Sequence, residues 1–250
     1  MFKKPLLVLV IIFIFGFLFS CSSQKDVVYL QNFEPQEGVE DLNKFEPRFK
    51  VNDIVSIFVS AYDMEAVEPF NLSTGSGDNT EAIDYIIDKD GYIDYPVLGR
   101  VELKGKTVSA AKEMLVDRLS KYLKDPIVNI RIKNFRITLL GAIKSPGTYV
   151  ISGERITLLE AIGLGGDLDI KGKRDNIMVI RDIDGTKVST RVNLRDKSFL
   201  TSPVYYLTQN DVVYVEPNKY ATSASKRDGR LGLVMGVLGF LVSMTVLITN

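Results

Sequence analysis

The sequence predicts an α+β fold, arranged as two consecutive units framed by two membrane-attachment segments. Three observations lead there. From about residue 49 to 216, short runs rich in β-branched residues alternate with Gly, Pro and Asp-Gly turns, as strands and hairpins do. Only two internal stretches, after Thr107 and Thr157, combine a helix-starting residue with an apolar run at or near helical spacing. Both ends of the chain carry uncharged apolar runs, Pro5–Phe19 and Leu231–Ile248.

The first 20 residues read as a secretory signal. Lys3 and Lys4 precede the apolar run, and a small residue, Ser20, stands before Cys21. Cys21 is the only cysteine in the chain, so no internal disulfide can form. Placed directly after the expected cut, it resembles the lipobox of bacterial lipoproteins, which implies lipidation at Cys21. An uncleaved anchor with a buried cysteine is the alternative. Residues 21–48 then read as an extended, lipid-anchored tether, with Val27–Leu30 as a short apolar patch suited to packing as an edge strand.

Composition excludes several function classes. Lys plus Arg and Asp plus Glu both number 31, without the basic excess that nucleic-acid binding calls for. There is no histidine, which removes the commonest general base and the commonest transition-metal ligand. A Ser-His nucleophile is therefore ruled out, and no catalytic, metal or cofactor residues are expected. The carboxylates Asp84, Asp88, Asp90 and Asp94 cluster, but Gly91 follows Asp90 at once. The alternating oxygen ligands and late Glu of a calcium loop are absent, so a solvated turn is expected.

Within the first unit, Ile54–Val59 reads as a strand. Tyr85–Ile87 and Tyr92–Tyr95 flank Asp90-Gly91 as a hairpin. Thr107 caps a helix whose apolar face is Val108, Ala111, Leu115, Leu119 and Tyr122, ended by Pro126. Val128, Ile130 and Ile132 alternate with polar residues as a half-buried strand. In the second unit, Ser145-Pro146-Gly147 marks a turn, and Thr157 with Glu160 forms a capping box. Gly163–Gly166 reads as a helix stop; it follows its helix, so it offers no phosphate cradle. Ile177–Ile180 and Lys187–Val192 pair across Asp184-Gly185, and Val212–Val215 is the last strand.

A polar, basic linker (217–230) leads to the apolar run 231–248. As a helix this run spans roughly 27 Å, enough for a thin bilayer. Gly232, Gly236, Gly239 and Ser243 share one of its faces, as small residues at membrane-helix contacts do; ordinary glycine content in a membrane span is the alternative. In an exported chain, Lys226, Arg227 and Arg230 would sit on the wrong side of an inner-membrane helix for the positive-inside rule. An outer-membrane helix meets no such objection.

The run Asp88–Val101, with Asp90, Gly91, Pro96 and Gly99, then Lys104-Gly105-Lys106-Thr107, resembles the signature of the polysaccharide export domain. Gly141–Tyr149, with Pro146 and Gly147, and Leu158–Gly166, ending in Gly165 and Gly166, resemble a soluble-ligand-binding β-grasp (SLBB) domain. The chain thus resembles outer-membrane lipoproteins that export capsular or extracellular polysaccharide. The resemblance implies an export domain at 49–134, a β-grasp domain at 135–216 and a C-terminal transmembrane helix. It implies no enzyme activity. It also implies a homo-oligomeric ring, lipid-anchored at the outer membrane with its bulk in the periplasm. Its partners would be the transported polysaccharide and an inner-membrane polysaccharide co-polymerase, often fused to a tyrosine kinase. One departure stands out: Val51-Asn52-Asp53 has Asn52 where the family usually has glycine, which leaves the shape of the first turn open. The alternative function is a periplasmic scaffolding or ligand-binding lipoprotein that stays monomeric or a small oligomer.

Overall fold

The computed structural model describes residues 27–32, 45–74, 81–183, 185–219, 221, and positions 236, 237, 239, 240, 243 and 244. The signal segment and Cys21 lie outside the described residues, as do Gly232 and most of the apolar run 231–248. Within that run Gly236, Gly239 and Ser243 are helical and exposed. Among the described residues no helix is long and apolar enough to cross a membrane.

Two hydrophobic cores form. The first is built from residues between Phe49 and Ile130. Its sheet has the order β4-β1-β7, with β1 (Ile54–Ser60) central between β4 (Tyr85–Ile86) and β7 (Ile127–Ile132), all antiparallel. Alternation does what the sequence predicts: Val55, Ile57 and Val59 point inward, as do Val128 and Ile130. Helix α1 (Val108–Leu119) lays Ala111, Leu115 and Leu119 into this core. Thr107 caps it, accepting from the Ala110 N–H at 3.1 Å. The helix ends at Leu119, short of Pro126, and Tyr122 lies beyond it, exposed. Before β4, β2 (Ser73–Thr74) and β3 (Glu81–Ala82) make a short antiparallel ribbon. The free edge of β1 beyond β4 is met by Asn71, whose side chain accepts from Val59 N–H and donates to Val59 C=O. That amide imitates one step of a neighbouring strand.

The Asp90-Gly91 turn forms, but its flanking strands part after it. β4 pairs with β1, whereas β5 (Tyr92–Tyr95) pairs with β6 (Gly99–Glu102). The hairpin is therefore β5–β6, closed by Pro96-Val97-Leu98. The pairing departs from the hairpin expected across Asp90-Gly91 because a turn signal fixes a reversal, not which strands pair beyond it.

The second core draws on residues from Phe135 to Val215. Its sheet has the order β12-β11-β14-β8-β9. Here β8 is Arg136–Gly141, β9 Gly147–Val150, β11 Gly172–Ile183, β12 Thr186–Val192 and β14 Val212–Pro217. The β11–β12 hairpin pairs as predicted, from Ile177↔Val192 to Ile183↔Thr186. The last strand, β14, lies in the middle and runs parallel to β8. Helix α2 (Leu158–Leu164) follows β10 (Ile156–Thr157), which pairs with β13 (Tyr206–Leu207). Its capping box is complete: the Glu160 N–H donates to Thr157 Oγ1, and the Thr157 N–H donates to the Glu160 carboxylate.

The tether is not uniformly extended and separate. Residues 29–32 dock on the second unit: Leu30 and Gln31 N–H donate to Leu194 and Arg195 C=O, and Tyr29 bonds Asp167 at 2.5 Å. No strand forms there. The folded region also begins before Phe49, because Phe45 stacks on Tyr206 and Arg48 forms a β-bridge with Thr107.

Gly141 ends β8 at φ +87°, and a Cβ there would lie 2.1 Å from Val215 O on the neighbouring strand. Only glycine permits both the left-handed backbone and that approach. We expect Gly141→Ala to destabilise the protein by more than about 3 kcal/mol, read as a fall in the denaturant midpoint.

Candidate functional site

Apart from Cys21 and the small residues of the run 231–248, the residues singled out in the sequence fall into two clusters, one in each unit, with a polar junction between the units.

The first cluster is the Asp88–Lys104 hairpin. Asp88 Oδ1 accepts from the Asp90 and Tyr92 N–H groups, and Asp88 Oδ2 accepts from Arg100 at 2.9 Å. The Tyr92 N–H and the Arg100 guanidinium together hold Asp88 below the usual carboxylate range. Arg100 also lies 4.4 Å from the Tyr92 ring centroid. Gly91, at φ +95°, accepts through its carbonyl from the N–H groups of Leu103 and Lys104, and a Cβ there would press on the Lys104 side chain. The hairpin thus folds back on its own entry turn. At its tip Pro96 C=O accepts from Leu98 N–H, and Val97 sits at φ +64°, a strained region for a β-branched residue. Gly99 follows at φ +68°. Asp84 turns instead to Lys133, 3.1 Å away, so the four carboxylates do not converge. Among the described residues no group of three His, Cys, Asp or Glu is placed to hold a metal.

The second cluster unites the two glycine-containing motifs of the later unit. The loop after Gly141, which includes Pro146, packs on the turn after α2. Ser145 N–H donates to Gly165 C=O, and Lys144 N–H to Asp167 C=O. Gly165 leaves space for Ile143 and Leu139, and Gly166 turns the chain at φ +74°. Gly147 opens β9. The glycines serve a helix stop and close packing.

The junction was not foreseen. Asn134 lies between the two cores and uses its whole amide: Oδ1 accepts from Ile54 N–H, and Nδ2 donates to Asn52 C=O. Gln209 reaches back across the junction, donating to Asn134 C=O and accepting from Arg136 N–H. Lys50 Nζ donates to Thr208 Oγ1 at 3.1 Å. Burial pushes the Lys50 ammonium below its ordinary pKa, opposed by the Asp211 carboxylate. Asn52 adopts φ +67°, a left-handed conformation that asparagine tolerates better than most residues. Beside it Asp53 is only 1% exposed and accepts from Lys50 N–H. Burial pushes its carboxyl up to about 6, against the opposing pull of Lys50. None of these residues is conspicuous in sequence; the only local signal was the polar pair Asn52-Asp53 set among apolar neighbours.

Along one side of the junction runs a cleft of about 430 Å³. Pro47, Val108 and Ile132 line it from one side, and Phe135, Ile151 and Glu154 from the other.

The first unit, hairpin and junction edge included, is the part that a known family describes. Residues 43–133 match the polysaccharide biosynthesis/export protein family. The match begins just before Phe45 and stops one residue before Asn134, so it coincides with the first core and the strap that enters it. It implies a role in polysaccharide export, and the family is one of transport, not of enzymes.

Asp53 gives a measurable signature. Its carboxyl is raised above the unfolded value of 3.8, so the folded state holds the extra proton between about pH 4 and 6. Its contribution is therefore fully present below about pH 4, falls across that window and is lost as pH rises through 6. We expect Asp53→Asn to flatten the dependence of unfolding free energy on pH between 4 and 7. Near neutrality the variant should gain on the order of 1–3 kcal/mol relative to wild type. Urea titrations at several pH values measure both.

Proposed function

We propose that this protein is a subunit of an oligomeric outer-membrane translocon that carries capsular or extracellular polysaccharide from the periplasm to the cell surface. The observation that carries the reading is the family match over residues 43–133. Two features of the sequence support it: the signal segment ending at Cys21, and the apolar run 231–248 with its basic approach. Acylated Cys21 holds the chain at the inner leaflet of the outer membrane. The first unit packs with its copies into a periplasmic ring, and the second, an SLBB-type β-grasp domain, stacks above it. The helices 231–248 cross the membrane together, with Gly232, Gly236, Gly239 and Ser243 as their contact face. The polymer moves through the lumen without chemistry, handed on by an inner-membrane co-polymerase.

A second reading, a monomeric or small-oligomer scaffolding or ligand-binding lipoprotein of the same machinery, is favoured by one observation. The cleft between the units is of a size and position typical of small-ligand sites.

Stoichiometry separates the two. The acylated, full-length protein extracted in mild detergents should give, by light scattering and single-particle imaging, a closed ring of many copies with a central channel. A monomer or dimer that persists across several detergents overturns the translocon and leaves the scaffold. Separately, Cys21→Ser should abolish incorporation of radiolabelled palmitate, while the apolar run 231–248 keeps the variant in the membrane fraction. Unchanged labelling would overturn lipidation at Cys21.

A further inference from the structure

The sheet of the first unit has one covered face and one bare face. Its inward side chains pack under α1. Its outward positions are Ile54, Ser56, Phe58 and Ser60 on β1, Ile86 on β4, and Ile127, Asn129 and Arg131 on β7. Register sets Ile54 beside Ile86 and Ser60 beside Ile127, which puts Phe58 and Ile127 on a diagonal of the same face. Phe58 is 49% exposed, Ile86 63% and Ile127 64%. The solvent face of an antiparallel sheet ordinarily carries polar side chains. Here an apolar side chain from each of the three strands occupies it. Its charges are unbalanced: Lys133 is matched by Asp84, whereas Arg131 has no hydrogen-bond or ion-pair partner among the described residues.

The opposite side of the same unit is the outer ridge of α1. Opposite Ala111, Leu115 and Leu119, the helix presents Ser109, Ala110, Glu113, Asp117 and Ser120. The ridge is low, because three of these side chains are small. It is also acidic: Glu113 and Asp117 stand one turn apart, exposed and without ion-pair partners among the described residues. Glu46 adds a further carboxylate, bonded to Ser109. Lys112 and Arg118 lie on the flanks of the helix, not on this ridge.

We propose that the bare sheet face of one copy seats on the α1 ridge of the next, with Phe58, Ile86 and Ile127 over the small residues and Arg131 against Glu113 and Asp117. The charge complementarity between the two faces selects a second copy of this chain as the occupant. The faces differ and lie on opposite sides of a two-layer unit, so the contact is heterologous. Repeated head to tail, it does not stop at a dimer, and the closed ring of the oligomeric reading requires that the rotation per copy closes. A sheet-on-sheet dimer would bring two unpaired Arg131 side chains together. The inference rests on the oligomeric reading above and names the surface through which it is built.

The test uses the full-length protein in membranes. Cys21 is the only native cysteine, so introduced thiols can be followed cleanly. Phe58→Cys combined with Glu113→Cys should, on oxidation, give a ladder of dimers, trimers and larger species on a non-reducing gel. The two sites face opposite ways within one chain and cannot close on themselves. Each single variant should give no ladder. In the double-cysteine background Arg131→Glu should lower the cross-linked yield about tenfold, and adding Asp117→Arg should restore it. All four positions are exposed, and unchanged far-UV circular dichroism checks folding. A wild-type ring without a ladder overturns this interface and leaves the oligomer standing. Dimers from Phe58→Cys alone overturn it in favour of sheet-on-sheet pairing. A wild-type monomer by light scattering overturns the oligomer itself.

Discussion

One buried carboxylate holds the arrangement of the two units. Asp211 is fully buried, and such a charge is tolerated only when it is completely bonded. Arg181 grips it through Nε and Nη2, and Thr208 donates to it from both its backbone N–H and its hydroxyl. The same guanidinium donates to the carbonyls of Pro203 and Tyr206, so a single Arg–Asp pair sets the path of the chain from 203 to 211. That stretch supplies the contacts that cross to the first unit: Tyr206 beneath Phe45, Thr208 at Lys50, and Gln209 on Asn134. Loss of Asp211 would thus leave an uncompensated cation and at once loosen three contacts between the cores.

The strap 45–48 reinforces the junction from outside. Phe45 belongs to the second unit through Tyr206, while Glu46 and Arg48 belong to the first through Ser109, Gly105 and Thr107. Residues 29–32 are bonded again to the second unit. The N-terminal segment therefore visits both cores. In the proposed translocon a pull on the lipid anchor is borne first by the second unit, before it reaches the export domain.

Elements governed by local chemistry were legible in the sequence. Alternation gave β1 and β7 and their inward faces, and Thr107 and the Thr157–Glu160 box gave both helix starts, because those signals are spent within a few residues of where they are written. The end of α1 was less legible. Pro126 is a sound stop, but Ser120 had already bonded back to Val116 C=O and the chain had turned. Pairing was legible only where a turn joined the partners. The β5–β6 hairpin was missed because Pro96-Val97-Leu98 forces the turn through a strained Val97 that no turn preference favours. The junction was the least legible. Asn134 and Gln209 look like any surface amides, and they matter only because folding brings them together across many residues. Asp53 carries no local sequence mark of its burial.

The parallel pairing of β14 with β8 also dictates an order of assembly. Strand β8 waits for a partner more than seventy residues downstream, and β14 is the central strand of its sheet. The first core, by contrast, is closed by β7 at Ile132, so a chain that emerges from its N-terminus can condense that unit while the rest is still threading. The second unit stays open until Val212–Pro217 arrives. Tyr29 and Leu30, among the first residues to appear, cannot dock until Asp167 and Leu194 are in place. The segment 29–32 is thus among the last to be fixed. The late-closing sheet, with its strand edges still unpaired, is the stage of folding at which a periplasmic chaperone would have most to protect.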